Sequence, residues 1–147
     1  MEFGIKVRYS REGAQLDAPN KEGDAGYDVY AVEDTVIPSR ANLPVKVPTG
    51  IHLEFPKDYV CVVENKSGVA TRNGLLFVNG IIDSGYRGEV QLMVYNMTDS
   101  DFTIPRGMKM AQLIFYRIGT PPLSVVSELD DSDRGSDGFG STQTVNS

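Results

Sequence analysis

The clearest regular pattern in the chain lies in residues 89–96, which read Glu-Val-Gln-Leu-Met-Val-Tyr-Asn. Val90, Leu92 and Val94 alternate with other residues, and successive side chains of a β-strand point to opposite faces. These three apolar side chains therefore share one face of a predicted strand. That period of two is incompatible with a helix, whose faces repeat every 3.6 residues.

Short stretches rich in β-branched and aromatic residues continue along the chain and are separated by Gly, Pro, Asn or Asp. No helical pattern alternates with them, which favours an all-β sandwich or barrel. We predict a jelly-roll-like β-barrel. Besides 89–96, the predicted strands are 3–9, 27–32, 43–47, 50–55, 59–64, 76–78, 81–82, 102–104, 111–118 and 123–128.

One short helix is predicted over 67–73, with Ser67 as its N-cap and Gly74 as the left-handed residue that ends it. The composition changes at residue 130, after which Asp, Ser and Gly dominate. Such a segment cannot bury enough apolar surface to order itself. We therefore predict a β-barrel domain at 1–129 and a flexible C-terminal segment at 130–147.

Charge and composition exclude several functions. Fourteen Lys and Arg against 20 Asp and Glu give a net charge of -6, the opposite of the basic surface that binds nucleic acid. The single cysteine, Cys61, and the single histidine, His52, exclude an internal disulfide and a structural zinc site. No apolar run approaches the roughly 20 residues of a membrane span. The N-terminus lacks a secretory pattern, so we expect a cytoplasmic protein, or one in the host cytoplasm if it is viral.

Residues 79–88 have the extended-turn-extended pattern of a β-hairpin with glycines around its bend. Backbone groups in such an arm can approach and read a flat base. Tyr86 would supply an aromatic wall, and Asp83 would supply an acid-base group. The alternative is a structural hairpin, with Asp83 as a turn residue and Tyr86 in the core.

Two further segments are suited to phosphate. Lys66, Ser67 and Gly68 lie at the predicted helix start, where free N–H groups, a hydroxyl and positive charge would converge, although Ser67 can also serve as an N-cap alone. The glycine-rich tail 134–142 can wrap its N–H groups around phosphate oxygens, and its Phe139 can stack on a base. This tail is either a substrate lid or a frayed terminus.

Two polar residues interrupt apolar strands. Asp28 needs a partner if it is buried, and either Mg²⁺ or a salt bridge would provide one. Gln112 either donates its amide to an anionic oxygen or faces solvent. We do not expect His52 to be catalytic, and Cys61 is predicted to lie in the core.

Five segments resemble, in order, the five motifs of the homotrimeric dUTPase family. They span Asp24 to Thr142 and comprise 25–29, 66–70, 80–88, 107–114 and 134–142. The resemblance implies a jelly-roll subunit in a homotrimer with three shared active sites. It also implies hydrolysis of dUTP to dUMP and pyrophosphate with Mg²⁺, which keeps uracil out of DNA and supplies dUMP for dTMP synthesis.

The resemblance assigns the base and sugar to the hairpin. Asp83 would be the general base, accepting a hydrogen bond from the water that attacks the α-phosphorus. Tyr86 would pack under the deoxyribose and leave no room for a 2'-hydroxyl. The hairpin backbone would bind uracil at Gly80, Ile81, Ile82 and Gln91.

The remaining motifs are assigned to the triphosphate. Asp28 would hold Mg²⁺ through water, and Gln112 would hold the α-phosphate. Lys66, Ser67 and Gly68 would bind the phosphate chain from a neighbouring subunit. The tail would close over the γ-phosphate and base through Arg134, Phe139, Gly140, Ser141 and Thr142.

Three residues depart from the family pattern. Lys66 stands where arginine is usual, which replaces a fork of donors by a point charge. Asp137 and Gln143 occupy tail positions where glycine is common. Two alternatives remain at this point: the related dCTP deaminase group, and a non-catalytic regulator that binds a partner protein through the trimer surface.

Overall fold

The structure is a computed structural model that describes residues 4–140. Within that range the chain forms short strands and a single short helix, in agreement with the predicted all-β class. The elements, in chain order, are β1 (Lys6–Tyr9), β2 (Leu16–Asp17), β3 (Tyr27–Tyr30), β4 (Thr35–Ile37), β5 (Val45–Pro48), β6 (Ile51–Glu54), β7 (Tyr59–Asn65), α1 (Ser67–Asn73), β8 (Leu75–Phe77), β9 (Ile81–Ile82), β10 (Gln91–Asn96), β11 (Phe102–Ile104) and β12 (Lys109–Arg117).

The strands pair antiparallel in four sheets within the described residues. The largest has the order β2-β3-β12-β7-β9, and a second has the order β5-β10-β8. Two-stranded sheets join β1 to β6 and β11 to β4. Each sheet ends in edge strands, so the sheets do not close into a barrel, and the predicted jelly-roll arrangement is consistent with them.

The core lies between these sheets and confirms the alternation of residues 89–96. Leu92 and Val94 are fully buried, and Val90, just before β10, is buried with them. Asn96 ends the strand as a buried polar residue, but its Nδ2 donates to Ile37 O at 3.0 Å and to Ser100 O at 2.7 Å. A buried amide is tolerated when its hydrogen bonds are satisfied.

The helix has the predicted bounds, but its N-terminus differs from the expectation. Lys66 occupies the N-cap position and makes no side-chain cap hydrogen bond, whereas Ser67 is the first helical residue. An N-cap side chain bonds the N–H two or three residues later, so Ser67 lies outside the cap position. Gly74 ends the helix in the left-handed region, with φ 65°, as predicted.

The strand predictions fail at three places. β2 and β4 were missed because two or three residues carry too little alternation to be recognised. The predicted strand 123–128 is wrong: residues 118–140 carry no strand, and Leu123 and Val125 are almost fully exposed. Apolar β-branched residues form a strand only where a neighbouring strand accepts their backbone groups. The division at 129/130 remains a prediction.

Across the described residues, no helix is long and apolar enough to span a membrane.

Candidate active site

A cavity of about 320 Å³ opens beside the predicted hairpin, and we call it the hairpin pocket. It lies between β9, the turn that follows it, and the start of β10. The motif residues Gly80, Ile81, Ile82, Asp83, Tyr86 and Gln91 all line it, together with Lys46, Val63, Val78, Glu89, Val90 and Met93. The structure therefore places in one cavity the hairpin residues and Gln91 that were predicted to bind the base and sugar.

Asp83 directly follows β9, which is held in place by its pairing with β7. The Asp83 carbonyl accepts a hydrogen bond from Tyr86 N at 3.0 Å, which closes a turn. Its side chain is exposed, and within residues 4–140 the carboxylate makes no hydrogen bond or ion pair. A carboxylate in this state can accept a hydrogen bond from water at the pocket mouth.

Tyr86 stands at the edge of the pocket with 48% of its surface exposed, so the alternative that placed it in the core is wrong. Its hydroxyl donates to the Glu89 carbonyl at 3.0 Å. A Cβ atom on Gly88 would lie 2.3 Å from the Tyr86 hydroxyl oxygen. The glycine therefore makes room for the ring.

A second cavity, of about 440 Å³, lies along one row of the five-stranded sheet, and we call it the charged pocket. Asp28 and Gln112 are directly opposite each other on β3 and β12. Asp17 on β2 is the partner of Asp28 on its other side. The cavity is lined by the segments 17–21 and 24–26 and by Asp28, Lys66, Lys109 and Gln112.

Asp28 is bound by two lysines. Lys66 Nζ lies 2.7 Å from Asp28 Oδ1, and Lys109 Nζ lies 3.2 Å from Oδ2. Burial alone would raise the pKa of the Asp28 carboxyl, but the hydrogen bonds and charges of the two lysines outweigh burial and lower it. The same contact raises the pKa of Lys109. The salt-bridge alternative for Asp28 is therefore observed, with a net positive charge in this triad.

Gln112 is half-buried and lines the charged pocket, on the face of β12 opposite the buried Ala111 and Leu113. Its Nε2 donates weakly to Asn65 O at 3.5 Å. A Cβ on Gly26 would lie 2.0 Å from Gln112 Oε1. The glycine of the Ala25-Gly26 motif thus leaves space for this amide.

The sequence analysis did not single out Lys109, Asp17 or Tyr30 as site residues. The Tyr30 hydroxyl donates to Asp17 Oδ2 at 2.6 Å, and this bond is the main reason that the pKa of Asp17 is lowered. The sequence did contain a signal for Tyr30: it lies two residues after Asp28 in a predicted strand, so both side chains share one face. Lys109 carried no comparable signal, because its contact with Asp28 depends on strand register.

The donors on the described residues suit a metal only as an outer-sphere contact. No group of three or more His, Cys, Asp or Glu side chains lies together in residues 4–140 as a metal cage. Asp28 is 22% exposed and faces the pocket. Each carboxylate oxygen has two lone pairs, so Asp28 can accept from a metal-bound water while it keeps both lysines. The residues therefore fit Mg²⁺ held through water.

The described part of the tail lines neither cavity. Arg134 Nε donates to Asp137 O at 2.6 Å. Phe139 has φ 48° and a fully exposed ring, and Gly140 follows it with φ 85°. Ser141 and Thr142, as well as Gln143, lie outside the described residues. Ser67 and Gly68 are at the first turn of α1, next to Lys66.

The single cysteine and the single histidine of the sequence, Cys61 and His52, are both held in contacts of a structural kind. Cys61 is buried, and burial raises the pKa of its thiol to about 12, which confirms its place in the core. His52 Nδ1 lies 2.9 Å from Arg87 O, and its Nε2 lies 2.8 Å from Ser10 Oγ. Since a carbonyl only accepts hydrogen bonds, Nδ1 carries a hydrogen.

The two pockets share no lining residue. Asp83 belongs to the hairpin pocket, whereas Asp28, Lys66 and Gln112 belong to the charged pocket. Within residues 4–140 the two cavities are therefore separate.

The sequence model of the dUTPase family matches residues 13–143. The deoxyuridine 5'-triphosphate nucleotidohydrolase of Paramecium bursaria Chlorella virus 1 is 42% identical over 138 residues, covering 94% of this chain and 96% of the viral protein. The protein of the same name from Brucella melitensis is 40% identical over 148 residues, covering 96% of this chain and 92% of the bacterial one.

Solved structures agree in fold. The dUTPase of Staphylococcus bacteriophage 80alpha with dUpNHpp has a TM-score of 0.88 at 25% identity, covering 96% of this chain and 99% of its own. A dUTPase variant from phage phi11 of S. aureus has a TM-score of 0.77 at 26% identity, covering 85% of this chain and 97% of its own. The phi11 structure is described as revealing the coordination of a structural Mg(II) ion.

Proposed function

This chain belongs to the dUTPase family, and from that premise we propose that it hydrolyses dUTP to dUMP and pyrophosphate through water activated by Asp83. The observation that carries the proposal is the hairpin pocket, where the exposed Asp83 carboxylate, which has no partner among residues 4–140, stands at the mouth of a base-sized cavity. A turn hydrogen bond fixes the backbone that carries this carboxylate. A general base must lie within hydrogen-bond reach of the water whose proton it accepts.

The base and the sugar are selected by the same pocket. The backbone at Gly80, Ile81, Ile82 and Gln91 borders the cavity and would pair with the edge of uracil. The Tyr86 ring would pack under the deoxyribose, where its position would exclude a 2'-hydroxyl. Backbone groups are suited to this task because their positions are set by the sheet rather than by side-chain rotamers.

The separation of the two pockets supports a homotrimer with shared active sites. A triphosphate bound to a base in the hairpin pocket would need cations that this pocket does not hold, apart from Lys46 at its lining. The charged pocket of a second copy would supply Lys66, Lys109 and Gln112. Ser67 and Gly68 would add N–H and hydroxyl donors from that same neighbour.

The charge balance also supports a nucleoside triphosphate as substrate. The whole chain carries a net charge of -6, yet the charged pocket gathers three lysines, Lys21, Lys66 and Lys109, against three carboxylates, Asp17, Asp24 and Asp28. Local cations and backbone donors stabilise a polyanion regardless of the net charge of the protein. Mg²⁺, held through water by Asp28, would neutralise charge on the phosphate oxygens.

In the proposed reaction, Asp83 accepts a hydrogen bond from a water molecule and orients its lone pair toward the α-phosphorus. The new bond joins the water oxygen to that phosphorus, and the bond to the bridging oxygen of the β-phosphate breaks. Pyrophosphate leaves with that bridging oxygen, and the proton of the water passes to Asp83. Gln112 donates its amide to the α-phosphate and holds it in line.

The tail completes the proposal. We assign 130–147 as a lid on the 1–129 domain, in which Arg134, Phe139 and Gly140, with Ser141 and Thr142, close over the γ-phosphate and base. The activity would keep uracil out of DNA and supply dUMP for dTMP synthesis. Neither nucleic acid nor a membrane is needed as a partner, and a cytoplasmic location, in the host if the source is viral, remains a prediction.

The test measures pyrophosphate release with Mg²⁺ from dUTP, dTTP, dCTP and UTP offered separately. We expect turnover of dUTP alone, and a loss of at least about 10³-fold in kcat for Asp83→Asn with dUTP affinity largely kept. Asp58→Asn is the matched control, because Asp58 is an exposed carboxylate that lines neither pocket. Normal turnover by Asp83→Asn would exclude Asp83 as the base.

The other substrates separate the alternatives. Ammonia release from dCTP would assign the chain to the deaminase group. Binding of dUTP without turnover of any nucleotide would favour a non-catalytic regulator.

A further inference from the structure

Glu89 joins the hairpin pocket to the N-terminal part of the chain. Its carboxylate is 14% exposed and accepts hydrogen bonds from Arg11 Nε at 2.5 Å and Arg11 Nη2 at 3.1 Å. It also accepts from Gly50 N at 2.9 Å and from Gln91 Nε2 at 3.3 Å. Four donors on one carboxylate restrain it more strongly than an ordinary surface ion pair.

The main chain of the same residue holds the aromatic wall of the pocket. The Glu89 carbonyl accepts from the Tyr86 hydroxyl at 3.0 Å, and the ring lies over Gly88, where a Cβ would collide with it. The position of the ring therefore follows the position of the Glu89 backbone. Gln91, on the other side of Glu89, is tied to the carboxylate directly.

The other side of this connection is a rigid turn. Ser10 N donates to Gly50 O at 2.8 Å, and Val90 N donates to Ile51 O at 2.8 Å. Gly50 has φ 70°, and a Cβ there would lie 2.8 Å from Ala14 Cβ. The turn at Gly50 thus packs closely against the segment that carries Arg11, and it can serve as a fixed anchor.

We propose that Arg11 and Glu89 form a clip that positions Tyr86 and Gln91, and that this clip sets the discrimination between deoxyribose and ribose. The inference rests on the proposed function, because it names what controls sugar selection at that site. Arg11 and Glu89 are positioning residues: they act through the ring and the amide that border the nucleoside.

The physical reason is steric. A ring excludes a 2'-hydroxyl only if it cannot retreat by the width of one oxygen atom. In the intact clip, Glu89 carries both groups. Its carbonyl accepts from the Tyr86 hydroxyl, and its carboxylate accepts from four donors. Without the guanidinium, that carboxylate keeps two neutral donors, and the Glu89 backbone gains freedom to move with the ring.

The test compares kcat/KM for dUTP and UTP in Arg11→Gln, Glu89→Gln and the double variant. In each variant we expect the ratio of kcat/KM for dUTP to kcat/KM for UTP to fall by about tenfold or more, which is the size of a lost steric contact. The kcat for dUTP should change by less than about threefold. The double variant should resemble the single ones, because both substitutions break one pair. Arg11→Lys should restore part of the ratio, since it keeps the charge but loses the fork.

Arg40→Gln is the matched control. Arg40 forms an exposed ion pair with Asp99 at 2.8 Å and lines neither pocket. It should leave the ratio unchanged. An unchanged ratio in Arg11→Gln and Glu89→Gln would overturn the proposal, and so would a parallel loss of both substrates, which would indicate a merely structural pair.

A second measurement separates this proposal from the proposed function. Hydrogen exchange of the backbone amides of residues 83–91, measured without nucleotide, should be faster in Arg11→Gln than in the wild type and in Arg40→Gln. Unchanged exchange would overturn the clip even if the wild type hydrolyses dUTP. Absence of dUTP turnover in the wild type would overturn the proposed function and the assigned sugar selection together.

Discussion

Lys66 Nζ lies 2.7 Å from Asp28 Oδ1, so the residue at the start of α1 and a carboxylate on β3 bind each other across 38 positions of sequence. Lys109 binds the other oxygen of the same carboxylate. Both lysines line the charged pocket, which is also bordered by Gln112 and by two further carboxylates, Asp17 and Asp24. Asp28 thus fixes both ammonium groups at the wall of this cavity, where the proposed function assigns the phosphate chain.

Lys66→Gln tests this arrangement. Removing one charge should raise KM for dUTP by about tenfold, the scale of one phosphate contact, while kcat falls by less than about threefold. Steady-state kinetics with dUTP and Mg²⁺ provide the measurement. Lys57→Gln, an exposed lysine that borders neither pocket, is the control. Equal KM values for the two variants would contradict a phosphate role for Lys66.

Gly26→Ala tests the space reserved for Gln112. The new Cβ would occupy the place of Gln112 Oε1, at 2.0 Å, and the flexible amide can move aside. We expect turnover to fall by at least about tenfold with little change in the melting temperature, because the flexible amide takes most of the displacement, while Gln112 Cβ, at 3.1 Å from the new methyl group, needs only a small shift. Gly119→Ala, whose Cβ meets no atom within 4 Å, should leave both unchanged. A large loss of stability without loss of turnover would refute this account.

Glu89 predicts a pH dependence of folding stability. The hydrogen bond from Arg11 is the main reason that the pKa of Glu89 lies below its ordinary value. A lowered pKa in the folded state contributes stability above the unfolded pKa of about 4.3, and this contribution is lost as pH falls through the folded value. Glu89→Gln should therefore unfold at lower urea concentration than the wild type at pH 7, and the difference should shrink below about pH 4. A difference that is constant from pH 7 to pH 3 would contradict the ion pair.

Cys61 predicts slow chemical modification of the folded protein. Because burial raises the pKa of its thiol to about 12, almost no thiolate is present at pH 8. Alkylation by iodoacetamide should be at least about 100-fold slower in the folded chain than in urea, as followed by mass spectrometry. The raised pKa also implies that stability contributed by the neutral thiol is lost as pH rises from about 8.5 toward that value. Rapid alkylation in buffer would show that the core around Cys61 opens readily.

Local sequence patterns were sufficient for much of the fold. The alternation in residues 89–96 predicted the buried face of β10, and Gly74 predicted the end of α1. Such features depend on neighbours a few positions away. The strand predicted at 123–128 failed for the opposite reason, because its residues have the right composition but no strand within the described chain pairs with them.

The candidate site divides in the same way. The sequence by itself singled out Asp83, Tyr86, Asp28 and Gln112 as candidates, since each is a polar or aromatic residue in a recognisable motif, and their roles stay predictions. Only the tertiary structure decided that Lys109 joins Lys66 on Asp28, and that Arg11 reaches Glu89 across 78 positions. Contacts of this kind depend on strand register and on the meeting of distant segments, and no local pattern of residue types encodes either of them.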